Sequence, residues 1–353
     1  MVTETATPSL AQHLMLCLLK MLYSLKQSGQ CWHQKLSSIF ASLSFKQCSI
    51  DQAIFYTDKE WNALTVVVVH VDDCMIAASS DKLIHKLIEG LCKQLEVTDL
   101  GGLHWMLGLE IQHNCVSSTM HLSQHAYIDS ILCCYNLADL KPLSTPMDTS
   151  IWLSAEQAPV SAVECAVMCN VPYHEAIDAL NWAVLTTHLD IAFAVTTMAR
   201  FAANPVPAHW EAVKQIFCYL AGMCDLWLSY RERKQTLEGY ADMDGSMAKD
   251  RRAISGYAFL IDGGAVLWSS KHQELVSLSM TESEYVTAMH GMKEALWLCS
   301  LLSELFGSLK APTTLFSDNQ AVIMLTHNHQ YHTHQSSNWT HIDKTPMDIY
   351  SYV

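Results

Sequence analysis

The sequence contains very little arginine. Its 353 residues include only five arginines, and none of them lies before Arg200. Lysine and arginine together number 21 against 35 aspartates and glutamates, which gives a formal net charge of −14. Segments 1–150, 151–236 and 237–353 are all acidic, with net charges of −5, −3 and −6. Because a nonspecific nucleic-acid binder usually presents a basic face, this composition argues against tight nonspecific binding of nucleic acid.

Long apolar runs are also absent. The longest runs, such as Leu14–Leu19, fall far short of the roughly 18 residues that a membrane-spanning helix needs. The first 13 residues contain Glu4 but no basic residue, which is unlike a signal peptide. We therefore expect an intracellular protein, cytoplasmic or nuclear, that has no contact with a membrane. Half of the residues are hydrophobic, so the chain is expected to fold, with enough length for two or three domains.

The 13 cysteines show no spacing that is typical of a zinc site. We interpret them as buried free thiols. A histidine-rich segment near the end holds His327, His329, His332 and His334. This segment has two open interpretations, a transition-metal site or a solvent-exposed tail, and we favour the tail.

The periodicity of apolar residues predicts an α+β or α/β protein in three parts, 1–150, 151–236 and 237–353. The first part is predicted to contain helices at 9–45, 81–95 and 125–137, two strands within 64–78, and a hairpin of 108–112 with 120–124. A linker at 138–172 precedes helices at 173–203 and 208–222. From Leu237 the order changes to three strands, a long helix, a strand and a helix.

The long helix of the third part is predicted from apolar residues three or four positions apart. Ser279 and Glu282 form a capping-box pattern at its start. Trp297 is predicted to lie in the core. The predicted buried face consists of Tyr285, Met289, Met292, Leu296, Cys299, Leu302 and Phe306.

Four carboxylates of the third part lie where they could meet at one edge of a sheet. Asp242 and Asp318 are near the ends of predicted strands, and Glu284 lies in the first turns of the long helix. Asp343 or Asp348 follows the last helix. Such oxygen donors suit Mg²⁺, and a pair of ions can promote phosphodiester hydrolysis. The alternative, that strand-end Asp residues only form turns or caps, stays open from these positions alone.

A second acidic feature, Asp72–Asp73, lies between two apolar runs. It is either an ordinary hairpin turn or the tip of a polymerase hairpin that holds catalytic Mg²⁺.

The third part resembles the ribonuclease H domain of copia-type retrotransposon polyproteins. The matching segments are GYADMDGS (239–246), RRAISGYAFLIDGGAVLWSSKHQ (251–273), LSMTESEYVTA (278–288), EALWL (294–298) and SDNQAV (317–322). The earlier chain resembles the reverse transcriptase and connection of the same family. Its segments are KMLYSLKQSGQCWHQKL (20–36), HVDDCMIAA (70–78), DLGGLHWMLGLEI (99–111), LSQHAYIDSIL (122–132), KPLSTPMD (141–148), PYHEAI (172–177) and HWEAVKQIFCYLAG (209–222).

The resemblance implies a partial palm and thumb-like region of a truncated reverse transcriptase at 1–150, a helical connection at 151–236, and a ribonuclease H-like mixed sheet flanked by helices at 237–353. Its implied chemistry is hydrolysis of RNA in an RNA–DNA hybrid with two Mg²⁺ ions, for which Mn²⁺ can substitute. The catalytic acids would be Asp242, Glu284, Asp318 and Asp343. Of these, Asp242, Glu284 and Asp318 would hold the metal ions, and Asp72 and Asp73 would be metal ligands of the polymerase. The implied partners are hybrid or template–primer nucleic acid and other chains encoded by the same element.

The chain departs from the family pattern in several places. The family has a further catalytic Asp upstream of the segment that matches 20–36, and the fingers are largely absent here, so we expect no polymerisation by this chain alone. His70 replaces the usual Tyr before the acidic turn, and the tail offers both THIDK (Asp343) and PMDIY (Asp348) for the fourth acid.

Positions where the family commonly has arginine hold other residues in this chain: Gln30, Cys133, Cys134, His188 and Cys299. We hypothesise that cytosine deamination in a silenced element removed these arginines. The alternatives to an active nuclease are therefore a non-catalytic transposon remnant and a nucleic-acid-binding module without catalysis.

Overall fold

The structure is a computed structural model of the chain. It describes residues 22, 25–57, 64–148, 168–231, 236–245, 253–277, 279–307, 313–327 and 347–350. The chain forms two compact units, the first comprising 1–101 with 300–308 and the second comprising 102–299 with 309–353. The three-part division at residues 150 and 236 stays a prediction.

The first unit is built on an antiparallel sheet in the order β1-β2-β3-β4. Its elements are α1 (Ser28–Ser42), β1 (Lys46–Gln47), β2 (Ile54–Tyr56), β3 (Thr65–His70), β4 (Asp73–Ala78) and α2 (Asp81–Cys92). The β-branched run Thr65–Val69 favours a strand. Phe40 stacks on Phe55 at 4.5 Å between ring centroids, and Leu87 and Leu91, one helical turn apart, join the same core. The predicted strands within 64–78 and the helix from residue 81 are confirmed.

The second unit begins with a four-stranded antiparallel sheet and a group of helices. Its elements are β5 (Trp105–Met106), β6 (Leu109–Asn114), β7 (Thr119–Ser123), α3 (His125–Cys134), α4 (Tyr173–Thr186), α5 (Ala192–Ala199), α6 (Pro207–Met223) and β8 (Leu228–Arg231). The helices share one core, in which Ile128, Leu180, Val195 and Phe217 are fully buried. The hairpin and these helices are confirmed, whereas β8, which pairs with β7, was not predicted.

A five-stranded mixed sheet in the order β11-β10-β9-β12-β13 completes the second unit. The elements of the sheet and its helices are β9 (Leu237–Asp244), β10 (Ile254–Ile261), β11 (Gly264–His272), α7 (Met280–Phe306), β12 (Thr313–Phe316), α8 (Gln320–His327) and β13 (Met347–Tyr350). Residues 300–306 of α7 are assigned to the first unit. Strands β9, β10 and β11 pair antiparallel, and β12 runs parallel to both β9 and β13. The predicted order of three strands, helix, strand and helix is confirmed, and β13 is an additional strand.

Helix α7 packs on this sheet through small residues. A Cβ atom placed on Gly291 would lie 3.6 Å from the Ala241 Cβ and from the Leu315 methyl groups, so the helix lies very close to β9 and β12. The predicted buried face is wrong, because only Cys299 of its seven residues is buried, and Trp297 is 39% exposed. The buried positions are Ser283, Glu284, Thr287, Ala288, Gly291, Ala295, Leu298 and Cys299.

Helices α4 and α5 are bonded to β11 at the edge of the same sheet. The Trp268 indole N–H donates a 2.7 Å hydrogen bond to the Val184 carbonyl, and the Thr196 hydroxyl donates to the Ser270 carbonyl at 2.9 Å. The residues predicted as connection are therefore joined to the mixed sheet by specific hydrogen bonds. No helix in the described ranges is both long enough and apolar enough to cross a membrane.

Candidate metal centre of the mixed sheet

The strand register brings Asp242 and Asp318 to the same level of the sheet. In the parallel pair β9–β12, Glu238 lies opposite Thr314 and Tyr240 lies opposite Phe316. Asp242 and Asp318 are each four residues beyond the first of these pairs. Because neighbouring strands are about 4.8 Å apart, two residues at equal distance beyond a pair remain close together.

Helix α7 brings Glu284 to the two aspartates. Its first turn is capped by the Ser279 hydroxyl, which accepts the Glu282 backbone N–H at 3.2 Å, as the capping-box pattern predicted. Glu284 follows within the second turn and is only 8% exposed. The capped start of the helix therefore directs a buried carboxylate to the end of β9.

The three carboxylates form a compact cluster. One oxygen each of Asp242, Glu284 and Asp318 lies within 4.8 Å of the others, and Asp242 and Asp318 are exposed while Glu284 is buried. Burial, together with the negative charges of Asp242 and Asp318, raises the pKa of Glu284 from 4.5 to about 7. A divalent cation would offset both effects, and a set of three carboxylate oxygens is the donor type that Mg²⁺ and Mn²⁺ prefer. The cluster therefore fits a hard divalent cation.

The predicted fourth acid is not part of this described cluster. Asp343 lies outside the described residues. The backbone of Asp348 lies in β13 opposite Thr314, and thus at the level of Glu238. A four-residue offset along a strand corresponds to about 13 Å, so the backbone of Asp348 is far from the level of Asp242.

Space for a ligand adjoins Asp242. A cavity of about 340 Å³ has Asp242 and Asp244 in its wall, together with the aromatic side chains of Tyr240, Tyr257 and Trp268. The acidic end of β9 and the aromatic rings therefore line the same cavity.

A glutamine that the sequence analysis did not single out supports Glu284. Gln273 directly follows β11 and is 1% exposed. Its side-chain amide donates to the Ser283 carbonyl at 2.8 Å and lies within hydrogen-bond distance of the Ser255 and Thr287 hydroxyls, at 3.0 and 3.1 Å. An isolated glutamine gives no sequence signal, and only the fold reveals that it ties β11 to the start of α7.

Asp72 and Asp73 lie at the tip of the β3–β4 hairpin, as predicted. His70 pairs with Asp73, so Val71 and Asp72 form the two-residue turn and Asp73 begins β4. Val71 has a φ of 55°, an unfavourable backbone conformation for a β-branched residue, and its carbonyl accepts a 2.8 Å hydrogen bond from the Trp32 indole. In the described part of the chain no third histidine, cysteine or acid joins this exposed pair within ligand distance.

Of the histidine-rich segment, only His327 falls in the described chain, at the end of α8. His329, His332 and His334 lie outside the described residues.

Comparison with known proteins relates most of the chain to transposon proteins. Residues 11–149 match the family described as reverse transcriptase (RNA-dependent DNA polymerase). The chain is 36% identical over 324 residues to the retrovirus-related Pol polyprotein from transposon TNT 1-94 of Nicotiana tabacum. The aligned region covers 91% of this chain and 24% of that protein. It is 30% identical to the corresponding protein from transposon RE1 of Arabidopsis thaliana, over 89% of this chain and 21% of that protein. The chain thus spans at most about a quarter of these relatives.

A solved structure shares the fold. A foamy viral protease-reverse transcriptase in complex with RNA/DNA hybrid superposes with a TM-score of 0.50 at 11% identity, and the match covers 94% of this chain and 39% of that chain. This likeness confirms the fold class that the sequence predicted.

Proposed function

Because this chain belongs to the family of copia-type retrotransposon Pol polyproteins and carries part of their reverse transcriptase, we propose that its mixed sheet is a ribonuclease H that hydrolyses RNA in RNA–DNA hybrids. The observation that carries this proposal is the convergence of Asp242, Glu284 and Asp318 from β9, α7 and β12. Three separate elements supply these acids, and the parallel β9–β12 register aligns two of them.

Asp242, Glu284 and Asp318 would hold the divalent cations, with Asp343 as the fourth acid. Bound Mg²⁺ would supply a more acidic water and neutralise charge on the phosphate. The protein's own contribution is to hold Glu284 beside two other carboxylates at an end of the sheet where Asp242 and Asp318 are exposed. The exposed acids leave room for a phosphodiester, and the buried one fixes the position of the cluster.

An RNA–DNA hybrid is the substrate that this proposal implies. The solved relative is described as a complex with such a hybrid. Recognition would rest on backbone shape and 2′-hydroxyl groups rather than on base edges. With a formal net charge of −14, the chain should bind the hybrid weakly and with strong dependence on divalent cations, because its acids repel phosphates until they are neutralised.

Asp72 and Asp73 would correspond to metal ligands of the family's polymerase. Two adjacent carboxylates on an exposed hairpin can bind a single divalent ion weakly. We therefore expect no primer extension by this chain alone, in contrast to hybrid cleavage.

The test is cleavage of a hybrid labelled on its RNA strand, by the full chain in Mg²⁺ and in Mn²⁺. Asp242→Asn and Asp318→Asn should each reduce cleavage at least a hundredfold, in line with the loss of a group that stabilises the transition state. Glu238→Gln is the matched control, because it removes a carboxylate from the same strand, four residues from Asp242. It should leave cleavage within twofold of the parent.

A folded chain without cleavage would reject the proposal and favour a transposon remnant. Hybrid binding without cleavage, with a steep salt dependence, would indicate a binding module instead.

A further inference from the structure

A second cluster of metal-ligating side chains shares no residue with the acidic cluster of the mixed sheet and lies where helix α3 begins and helix α6 ends. His125 is the first residue of α3, and Cys224 and Asp225 directly follow α6. One ligand atom each of His125, Cys224 and Asp225 lies within 4.8 Å of the other two. His125 and Cys224 are half-buried and Asp225 is exposed. The cluster is therefore anchored in the protein and open to solvent on one side.

We propose that His125, Cys224 and Asp225 bind a zinc ion. Zinc takes nitrogen, thiolate sulfur and carboxylate oxygen ligands in a tetrahedral arrangement, and this cluster offers one of each. With Zn–N and Zn–O bonds near 2.0–2.1 Å, two tetrahedral ligand atoms lie about 3.3 Å apart. The His125 Nδ1 and the Asp225 Oδ1 are 3.3 Å apart. A water molecule would complete the fourth position.

The two nitrogens of His125 provide the second argument. Nδ1 faces Asp225, and Nε2 faces the Asp129 carboxylate at 3.3 Å. Neutral imidazole has a single N–H, so it can donate to only one of these carboxylates. Both distances exceed the roughly 2.7–2.9 Å of charge-assisted hydrogen bonds. A metal ion bound between Nδ1 and Asp225 would leave the Nε2 proton for Asp129.

Asp129 would then orient the histidine. A metal-bound histidine commonly donates its other N–H to a carboxylate, which fixes both the tautomer and the ring orientation. Asp129 is one turn along α3 from His125, and its place on the same helix keeps the two side chains together. The arrangement therefore includes a partner for the histidine as well as three direct ligands.

The scaffold holds the ligands in place without a metal. Helices α3 and α6 share a core in which Ile128, Phe217 and Leu220 are fully buried. The His125 backbone N–H is bonded to the Ser123 hydroxyl at 3.0 Å. The C-terminal end of α6, next to Cys224, carries the negative end of the helix dipole and favours a cation. Little reorganisation is needed for binding.

The surrounding charge also favours a cation. Burial and the negative charges of Asp225 and Asp129 raise the pKa of the Cys224 thiol. Zinc binding through the thiolate would release the thiol proton to solvent. The two carboxylates that disfavour a bare thiolate are the groups that attract the ion.

The test is a Co²⁺ titration of the purified full chain, followed by competition with Zn²⁺. We expect a thiolate-to-cobalt charge-transfer band that Zn²⁺ abolishes. Cys224→Ser should remove the band. Cys133→Ser should leave it intact, because it changes a cysteine of α3 that, contrary to the burial expected from the sequence, is exposed. His125→Gln and Asp225→Asn should weaken Co²⁺ binding at least tenfold, and Asp129→Asn should weaken it ten- to a hundredfold.

The proposal is wrong if the folded chain shows no thiolate band, or if the band survives Cys224→Ser. Circular dichroism of each variant separates lost binding from lost folding, and Asp225→Asn, at an exposed position, keeps the test valid if a half-buried variant unfolds. Asp242→Asn should bind Co²⁺ at this site as the parent does. Loss of nuclease activity and loss of the zinc site are therefore distinguishable.

Discussion

The side-chain amide of Gln273 donates a 2.8 Å hydrogen bond to the carbonyl of Ser283, the residue that precedes Glu284. This bond joins the end of β11 to the turn of α7 that carries Glu284, the buried acid of the candidate metal centre. Gln273 is itself held by its backbone N–H, which donates to the Ala253 carbonyl at 2.8 Å, so the amide is a fixed anchor. The position of Glu284 thus depends on a residue outside the cluster of three carboxylates.

Gln273→Leu should destabilise the second unit by about 2 kcal/mol, because it leaves buried polar groups with fewer partners. It should also lower hybrid cleavage by about tenfold, since a small displacement of Glu284 alters the metal centre. Urea unfolding and cleavage rates measure the two effects. Gln112→Leu, at an exposed position of β6, should change neither, and an equal loss in both variants would contradict the anchoring role.

The metal-free protein should lose stability as the pH rises from about 4.5 to about 7. The pKa of Glu284 is raised to about 7 from 4.5, so in this window the folded state holds a proton that the unfolded state has released. The ionised folded form is therefore disfavoured, by at most about 3 kcal/mol above pH 7. Glu284→Gln should abolish this slope and make the metal-free chain more stable at pH 8.

Urea unfolding in EDTA from pH 4.5 to 8 measures this slope. Asp242→Asn should reduce it, because it removes one of the charges that raise the Glu284 pKa. Added Mg²⁺ should restore stability at pH 8 in the parent but not in Glu284→Gln. An identical pH profile for the parent and Glu284→Gln would contradict the prediction.

The two candidates for the fourth acid should behave differently. The backbone of Asp348 is at the level of Glu238, about 13 Å from the level of Asp242. We therefore expect Asp343→Asn to reduce Mg²⁺-dependent cleavage at least tenfold and Asp348→Asn to leave it within twofold. Cleavage rates over a range of Mg²⁺ concentrations measure both variants. The reverse pattern would assign the fourth acid to Asp348.

Gly239→Ala should destabilise the mixed sheet by about 1–3 kcal/mol through overpacking. A Cβ atom at this position would collide with the Phe259 ring and lie 2.8 Å from a Leu315 methyl group, both in the core between the sheet and α7. Gly256→Ala is the matched control on the adjacent strand. Its Cβ would meet only the Asp242 carbonyl at 3.5 Å, an ordinary contact. Equal destabilisation of both variants in urea would argue against the close packing described for Gly239.

Val71→Asn should stabilise the β3–β4 hairpin by about 1 kcal/mol, because asparagine tolerates a positive φ better than a β-branched residue. Val71 is 59% exposed, so little apolar burial is lost. Val116→Asn, at an exposed turn residue that does not have a positive φ, should have no stabilising effect. The measurement is hydrogen exchange of the β3 and β4 amides, and slower exchange only in Val71→Asn is the expected result.

Local patterns predicted the hairpins and the order of elements in the mixed sheet. The run Thr65–Val69 and the strands from Leu237 to His272 carry β-branched and aromatic residues between turn residues, so their signals are local. The convergence of Asp242, Glu284 and Asp318 could also be expected, since strand ends and helix starts meet at sheet edges.

The remaining features depend on packing that hydrophobicity does not describe. The periodicity of large apolar residues pointed to the wrong face of α7, because most of its buried residues are small, such as Gly291 and Ala295. A Cβ atom on Gly291 would contact Ala241 and Leu315 of the sheet. Gln273 is a single polar residue, and the proposed zinc ligands His125 and Cys224 are about a hundred residues apart in sequence. Neither the Gln273 anchor nor the proposed zinc site has a spacing pattern that can be recognised in the sequence.

The pairing of β7 with β8 has a consequence for synthesis of the chain. His121 lies opposite Ser229, so the partner of β7 is translated only after more than a hundred further residues. At about 5–20 residues per second this delay is of the order of 5–20 seconds. During that interval the outer edge of β7 is an open template for another nascent strand. Ribosomes that follow one another closely on the same message would therefore place two such edges within reach of each other.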